Sequence, residues 1–222
     1  MNLEDAIYDL ARKNITKDNE WYQWSVNNAY LPFRITLPSG TNYQKNVSLK
    51  LKLHQIIKES ESNDVKYDAF YYYIKDWGGI RAIKDETIKM YAEQAPEQLI
   101  ESGEKGIASW SKALCITDPY NYAIFDARVS ASLNVLQKTC GERNDVHFPL
   151  LSSRNGAIAA WTTRQQRLPK HRYKEFYVRY LELLRSVRNR LINESIHQVE
   201  IYTLEMLLFA KAEELVQADN KI

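Results

Sequence analysis

Glycine and proline are scarce in this chain, whose 222 residues include seven glycines and six prolines. These two residue types occupy most turns, and a fold made of many short strands needs a turn every few residues. The small supply therefore disfavours a sheet-rich fold. Where a hydrophobic period can be read it is helical, so we predict a mostly α protein.

Long apolar runs are missing as well. No stretch of eighteen apolar residues occurs, and the first fourteen residues, MNLEDAIYDLARKN, contain acids and no apolar signal segment. A membrane helix or a secretion signal requires such a run. We therefore expect no membrane partner and no export, and a cytoplasmic protein.

Cysteine and histidine, two common metal ligands, are few. Cys115 and Cys140 match no metal-site spacing, and Cys115 lies in an apolar, helix-like run, so we expect buried free thiols. The histidines show no ligand spacing and have no convincing Ser or Cys partner; they are His54, His147, His171 and His197. We therefore expect no metal site.

The size and composition of the chain bound its organisation. With 45% hydrophobic and 26% charged residues, it can build one substantial core or two small helical lobes that share a cleft. We predict a single helical unit over residues 1–222.

The net charge of +2 hides a basic segment, defined here as residues 154–190. This segment has ten Lys and Arg against two acids, a local balance of +8 that leaves −6 for the rest of the chain. Such an asymmetry suits binding to a polyanion, because Lys and Arg neutralise phosphates and release counterions. A solvated helix face, with its acidic partners elsewhere in the fold, explains the charge equally well.

Two stretches near the end of the chain have clear helical periods. In YKEFYVRYLELLRSVRNRL the apolar residues recur at three- and four-residue steps, which predicts an amphipathic helix with exposed arginines. Its apolar stripe consists of Tyr173, Phe176, Tyr177, Tyr180, Leu184, Val187 and Leu191. A last helix is predicted from about Val199 to Val216, apolar on nearly all sides, with Glu205 at its rim.

The first half of the sequence is less regular. LPFRITLPSGTNYQ predicts a loop or a small hairpin, and NVSLKLKLHQIIKES favours a helix over a strand because of its length and its Lys, Gln and Glu content. KYDAFYYYIKDW predicts a helix that Gly78 and Gly79 stop.

Residues 96–136 predict two short helices joined by a tight turn, followed by a third helix. Pro96 starts the first helix, Gly103 ends it, and the second begins near Ser109 after the turn GEKGIAS. The turn exposes backbone N–H groups that suit a phosphate oxygen, directly or through a bridging monovalent cation at Gly106 to Ser109. After a turn at DPYN and an extended YAIF, the third helix starts at Asp126.

These residues resemble the helix-hairpin-helix DNA glycosylase superfamily. KGIAS resembles its Gly-hydrophobic-Gly hairpin, and IFDARV resembles the segment that holds its essential aspartate. The combination of WSKAL, DPYNYAIFDARV and ASLNVL is similar to a bacterial branch with the 8-oxoguanine DNA glycosylase (OGG) fold, and WGGI at Trp77 to Ile80 agrees with it. The resemblance covers about forty residues and implies two helical lobes with a cleft between them.

The resemblance implies a catalytic role for Asp126. An enzyme that cuts the bond between a base and its sugar extrudes the nucleotide and stabilises the positive charge that develops on the sugar. A carboxylate does this electrostatically, and it also orients or deprotonates the attacking water. The competing explanation is a helix N-cap, typically worth ~1 kcal/mol. The two roles are compatible, since one oxygen caps while the other faces the substrate.

The sequence departs from the family pattern at the lysine that cleaves the DNA backbone. Counting from Gly106, the second hairpin glycine corresponds to Ala108 and the lysine position to Trp110. The nearest amine is Lys112, which is a displaced Schiff-base nucleophile, a phosphate contact or a solvated lysine. The methyl group of Ala108 also limits how closely a phosphate approaches.

Further residues are candidates for DNA contacts. The predicted contacts are Gly106, Ala108, Ser109, Arg128, Arg164, Arg167, Lys170 and Arg172. Arg128 either steadies the carboxylate of Asp126, meets a phosphate or forms a surface salt bridge. The residues predicted to stack on an extruded base are Trp110, Trp161 and Tyr122.

The sequence therefore predicts a DNA N-glycosylase that acts on double-stranded DNA without a cofactor or a protein partner. Its target is a damaged or modified base, with oxidised guanine favoured and a phage-modified base as another substrate. An alternative is a non-catalytic nucleic-acid or nucleotide-binding module on the same scaffold. A third hypothesis is a helical protein-interaction subunit in which Asp126 is only a cap and the basic face meets an acidic partner.

Overall fold

A computed structural model describes residues 2–15, 19–60, 62–141, 148–165, 175–194 and 199–220. Within these ranges the chain forms ten α-helices and no strand, which confirms the predicted mostly α class. The helices are α1 (Leu3–Asn14), α2 (Asn42–Glu59), α3 (Asn63–Tyr71), α4 (Asp85–Glu93), α5 (Pro96–Glu101), α6 (Ile107–Thr117), α7 (Ala127–Thr139), α8 (Gly156–Gln165), α9 (Phe176–Asn193) and α10 (Ile201–Asp219).

The chain divides into two compact units. The first unit consists of Met1–Ile15 and Phe125–Ile222, and the second consists of Thr16–Ile124. The first unit therefore contains α1 and α7–α10, while the second contains α2–α6.

Helix α7 is the buried centre of the first unit, and every residue from Val129 to Gln137 is buried. Two of its buried hydroxyl groups donate to neighbouring backbone carbonyls. The hydroxyl of Ser130 donates to the carbonyl of Pro149, and that of Ser132 donates to the carbonyl of Leu208, each at 2.6 Å. These bonds fix α7 against α10 and the segment after residue 148, because a buried hydroxyl without a partner is costly.

Helix α9 confirms the predicted apolar stripe from Phe176 to Leu191, while Tyr173 lies outside the described residues. Two of its arginines have acidic partners within the unit. Arg188 donates to both carboxylate oxygens of Glu200, at 2.7 and 3.2 Å, and Arg190 donates to Asp5 at 2.8 Å. Part of the basic segment is therefore neutralised inside the fold.

Two expectations about burial in the first unit are wrong. Glu205 is buried, at 3% exposure, because neighbouring helices surround the first two turns of α10 and leave no rim there. Cys140 is only half-buried, since it lies just after the last turn of α7, although Cys115 is buried as expected and neither cysteine forms a disulfide.

Helix α6 is the buried centre of the second unit, with Ile107 and all residues from Ser109 to Ile116 buried. The helical reading of NVSLKLKLHQIIKES is confirmed by α2, which begins with a capping box between Thr41 and Gln44. The segment from 19 to 41 contains two short 3₁₀ turns, Asn28–Tyr30 and Pro32–Arg34, and no hairpin of strands.

Helix α3 runs into a turn of π-helix at Tyr72–Trp77, and the helical path ends at Gly78, as predicted. The sequence period did not predict the π turn, which is a rare feature that occurs frequently at functional sites.

The ion pair between α1 and α9 predicts an acid-sensitive contribution to stability. Arg190 donates a hydrogen bond to Asp5 and holds the pKa of this carboxyl below its ordinary value of 3.8. A carboxyl whose pKa is lower in the folded chain stabilises the fold at pH values above its unfolded pKa. This stabilisation is lost as the pH falls through the folded pKa. We expect the urea midpoint of wild type to fall more between pH 7 and pH 3 than that of Arg190→Gln.

Lys13→Gln is the matched control, because it removes an exposed cation from α1. Its acid-induced change in urea midpoint is expected to equal that of wild type. If the urea midpoint of Arg190→Gln falls as much between pH 7 and pH 3 as that of wild type, the linkage between Asp5 and Arg190 is contradicted.

Candidate functional site

The predicted hairpin is present as α5, a turn over residues 102–106, and α6. Gly103 has φ 60° and Gly106 has φ 72°, so both adopt the left-handed conformation that glycine favours. Helix α6 begins at Ile107, two residues before the predicted start near Ser109. The glycines are therefore required by the backbone of the turn itself.

Ser109, a predicted DNA contact, is buried and supports the turn from inside. Its hydroxyl donates to the carbonyl of Gly106 at 2.7 Å and lies 3.0 Å from the hydroxyl of Tyr91. Burial raises the pKa of Tyr91, so this phenol keeps its proton and donates to Ser109. A Cβ on residue 106 would lie 3.0 Å from the same phenol oxygen.

Two backbone N–H groups remain available at the hairpin. Gly106 is exposed and Ala108 is half-buried. Neither N–H has a hydrogen-bond acceptor among the described residues. A helix N-terminus with unpaired N–H groups attracts an anion through both the N–H donors and the helix dipole.

Lys112 is buried at 5% exposure, so the alternative of a solvated lysine is wrong. Its ammonium donates to the carbonyl of Ala108 at 2.8 Å. Its stem packs against Gly78, where an added Cβ would lie 2.7 Å from Cε of Lys112. In this conformation Lys112 presents its amine to the hairpin backbone.

The proposed cation position at Gly106 to Ser109 offers few free oxygens. The carbonyl of Gly106 accepts from the hydroxyl of Ser109 and from the N–H groups of Ser109 and Trp110. The carbonyl of Ala108 already binds the Lys112 ammonium, whose charge repels a second cation.

Two of the three predicted stacking residues are buried. Trp110 is 0% exposed and donates from Nε1 to the carbonyl of Lys105 at 3.1 Å, which ties α6 to its own turn. Trp161 is 1% exposed and donates to Asp219 at 2.9 Å. Neither ring exposes a face on which a base could stack, because both rings are packed in hydrophobic cores. Tyr122 is half-buried.

Asp126 is the N-cap of α7 and is half-buried. One carboxylate oxygen, Oδ1, accepts both capping bonds, from the N–H of Arg128 at 2.9 Å and from that of Val129 at 3.1 Å. The other oxygen, Oδ2, has no hydrogen-bond partner among the residues described. One oxygen of the Asp126 carboxylate therefore has a structural role as the cap of α7.

The predicted basic contacts are partly engaged within the first unit. The guanidinium of Arg128 lies 3.9 Å from Glu213 and 5.0 Å from the ring centre of Phe209, so the surface salt bridge is the alternative observed. Arg164 is exposed and donates to Asn220 at 2.6 Å. Arg167, Lys170 and Arg172 lie outside the described residues.

The sequence reading missed a cavity in the second unit, which we call the tryptophan pocket. It has a volume of about 630 Å³. Its lining residues are Gln23, Trp24, Ser25, Asn27, Tyr30, Tyr72, Asp76, Trp77 and Arg81. The WGGI motif contains Trp77, which lines the pocket, but the motif was not connected to a cavity from the sequence alone.

The described ranges contain no group of three or more His, Cys, Asp and Glu side chains that could hold a metal ion. They also contain no helix that is both long and apolar enough to span a bilayer.

Comparisons with known proteins return no match: no family model, no curated protein and no solved structure is similar to this chain.

The contact between Gly78 and Lys112 predicts a steric penalty for any side chain at residue 78. In Gly78→Ala the new methyl group would meet the Ile74 carbonyl at 2.8 Å as well as the lysine stem. A backbone atom does not yield easily, so we expect a loss of about 1–3 kcal/mol in the free energy of unfolding. Urea denaturation measures this loss.

Gly156→Ala is the matched control, because a Cβ there meets nothing within 4 Å. This variant is expected to be as stable as wild type or slightly more stable, since alanine restricts the unfolded chain. Equal stability of both variants would show that Gly78 is not tightly packed.

Proposed function

We propose that this protein is a DNA N-glycosylase that excises a damaged or modified base, with oxidised guanine as the favoured target. The observation that carries the proposal is that the two oxygens of the Asp126 carboxylate have different surroundings. Oδ1 takes both capping bonds of α7, while Oδ2 has no partner within the described part of the chain. Capping alone does not require the negative charge, because Ser or Asn caps a helix about as well as Asp does.

The chemistry assigned to Oδ2 is electrostatic. As the bond between the sugar C1′ and the base nitrogen breaks, the electron pair leaves with the base and positive charge develops on the sugar. A fixed carboxylate stabilises that charge without reorganising, because α7 already holds it in place. Water then adds its oxygen to C1′ and loses a proton, and the departing base gains one.

The hairpin supports the proposal as a phosphate contact. The N–H groups of Gly106 and Ala108 lack acceptors among the described residues, and they lie at the start of α6. Two such donors with a helix dipole favour one backbone phosphate. Arg164 is an exposed residue of the basic segment and a candidate for contact with a second phosphate, whereas Arg188 and Arg190 have acidic partners.

Strand cleavage is not part of the proposal. A Schiff base needs a free amine that reaches C1′ after base loss. The amine of Lys112 is buried and donates to the carbonyl of Ala108. The role of Lys112 that agrees with this contact is to brace the hairpin between α6 and Gly78.

The second candidate function is a non-catalytic nucleic-acid or nucleotide-binding module. The observation that favours it is the burial of three predicted DNA contacts, because Ser109, Trp110 and Trp161 bind other groups of the protein. The tryptophan pocket would then hold a nucleotide without any bond being cut.

Base release from duplexes that carry a panel of damaged bases tests the proposal. We expect wild type to release a base, detected as alkali-dependent strand breaks, and Asp126→Asn to bind the same duplex with release reduced roughly 10²–10³-fold. Asparagine caps a helix as well as aspartate does, so the fold of α7 is kept while the charge is removed.

Asp118→Asn is the matched control. The Asp118 carboxylate accepts from the N–H groups of Tyr120 and Asn121 in a turn, so the same change is made in another backbone-capping aspartate. Its release rate is expected to equal that of wild type. If Asp126→Asn releases the base as fast as wild type, Asp126 is only a cap.

Lys112 makes a separate prediction about strand cleavage. Because its amine is engaged with the hairpin backbone, borohydride should trap no covalent complex with the DNA, and strand breaks should appear only after alkali. A trapped adduct that Lys112→Gln abolishes would instead make Lys112 the nucleophile.

A further inference from the structure

The tryptophan pocket is a built site rather than a surface irregularity. Nε1 of Trp77 donates to Oδ1 of Asn46 at 2.7 Å, and Nδ2 of Asn46 donates to the carbonyl of Trp24 at the same distance. Asn46 is itself 1% exposed. One buried amide therefore holds both the ring of Trp77 and the backbone of Trp24, so this side of the pocket is in place before a ligand arrives.

The aromatic rings of the pocket leave apolar surface open. One face of Trp77 stacks on Tyr73, with ring centres 4.2 Å apart and planes at 3°. The ring of Trp24 meets Trp77 edge to face at 6.2 Å, and Trp24 is still 37% exposed. Tyr30 is 73% exposed. Exposed rings around a cavity of this size suit a flat, stackable ligand.

Two charged side chains line the same pocket. Asp76 and Arg81 are both exposed, and neither has an ion-pair or hydrogen-bond partner in the part of the chain that the structure describes. Burial raises the pKa of Tyr72, another lining residue, to about 12, and the Asp76 carboxylate adds a smaller effect. The Tyr72 hydroxyl therefore stays protonated and can donate a hydrogen bond. The pocket thus combines an acceptor-only group with a cationic donor.

We propose that the tryptophan pocket binds a guanine-type base, stacked on its tryptophans, with Asp76 reading the base and Arg81 contacting its phosphate. A carboxylate accepts two parallel hydrogen bonds and donates none. Guanine is the base with two adjacent donors, N1–H and N2–H, on its pairing edge. Adenine, cytosine and uracil place an acceptor beside their single pairing-edge donor group, and that acceptor repels the second carboxylate oxygen.

This inference deepens the proposed function and rests on it only for the claim that the base comes from DNA. Binding of a free nucleotide involves no bond cleavage. A protein that excises bases without preferring guanine nucleotides would refute the pocket assignment alone, whereas one that binds guanine nucleotides without excision would refute the glycosylase alone.

Quenching of tryptophan fluorescence by free nucleotides tests the assignment. Wild type is expected to bind GMP more tightly than AMP, CMP or UMP. Asp76→Asn should lose about tenfold in GMP affinity and with it the preference, because one bidentate contact discriminates by about that much. Arg81→Gln should weaken GMP binding and leave binding of guanosine, which has no phosphate, unchanged.

Two further variants keep the test informative. Asp68→Asn changes an exposed carboxylate on α3 that does not line the pocket, and it should bind GMP as wild type does. Trp24→Ala should weaken the binding of all four nucleotides equally. It keeps the backbone carbonyl at position 24, which accepts a hydrogen bond from Asn46. Thermal denaturation checks that each variant is folded.

Three outcomes would overturn the proposal. They are no nucleotide binding at all, an unchanged GMP preference in Asp76→Asn, and binding of choline more tightly than GMP. The last result would mean that the aromatic rings and the carboxylate read an organic cation.

Discussion

The starts of two buried helices constrain the rest of the structure. The first N–H groups of a helix have no partner inside it, and a core helix must satisfy them at its start. Helix α7 does so with the Asp126 side chain, which uses one oxygen and leaves the other. Helix α6 has Gly106 as its N-cap, which has no side chain, and leaves N–H groups in an exposed turn. Both features on which the proposed function rests therefore lie at helix starts.

The hairpin turn is held by three side chains that were candidates for contact with DNA. Ser109 binds the Gly106 carbonyl, Trp110 binds that of Lys105, and Lys112 binds that of Ala108. A turn with two left-handed glycines gains rigidity from such bonds, since glycine has the largest backbone freedom to lose. The turn is therefore fixed from inside, while Ser102, Lys105 and Gly106 are exposed.

Helical period was sufficient to predict α2, α9, α10 and the start of α7 at Asp126, because these depend on local spacing and on capping residues. Burial was harder to predict. Glu205, Lys112 and Trp161 are polar-tipped side chains whose exposure depends on helices distant in sequence. The tryptophan pocket is also non-local, since Asn46 in α2 joins Trp24 to Trp77. The position of Asp126 at the start of α7 could be predicted from the sequence, whereas the tryptophan pocket could be found only in the structure.

The central claim is that this protein breaks the bond between a base and its sugar. Mass spectrometry of the small molecules released when wild type is incubated with DNA treated by an oxidant tests it without choosing a substrate beforehand. The account predicts a free base in the filtrate, of guanine type, whose yield rises with time and enzyme concentration. Tight DNA binding with no base above the level of an enzyme-free sample would contradict the claim.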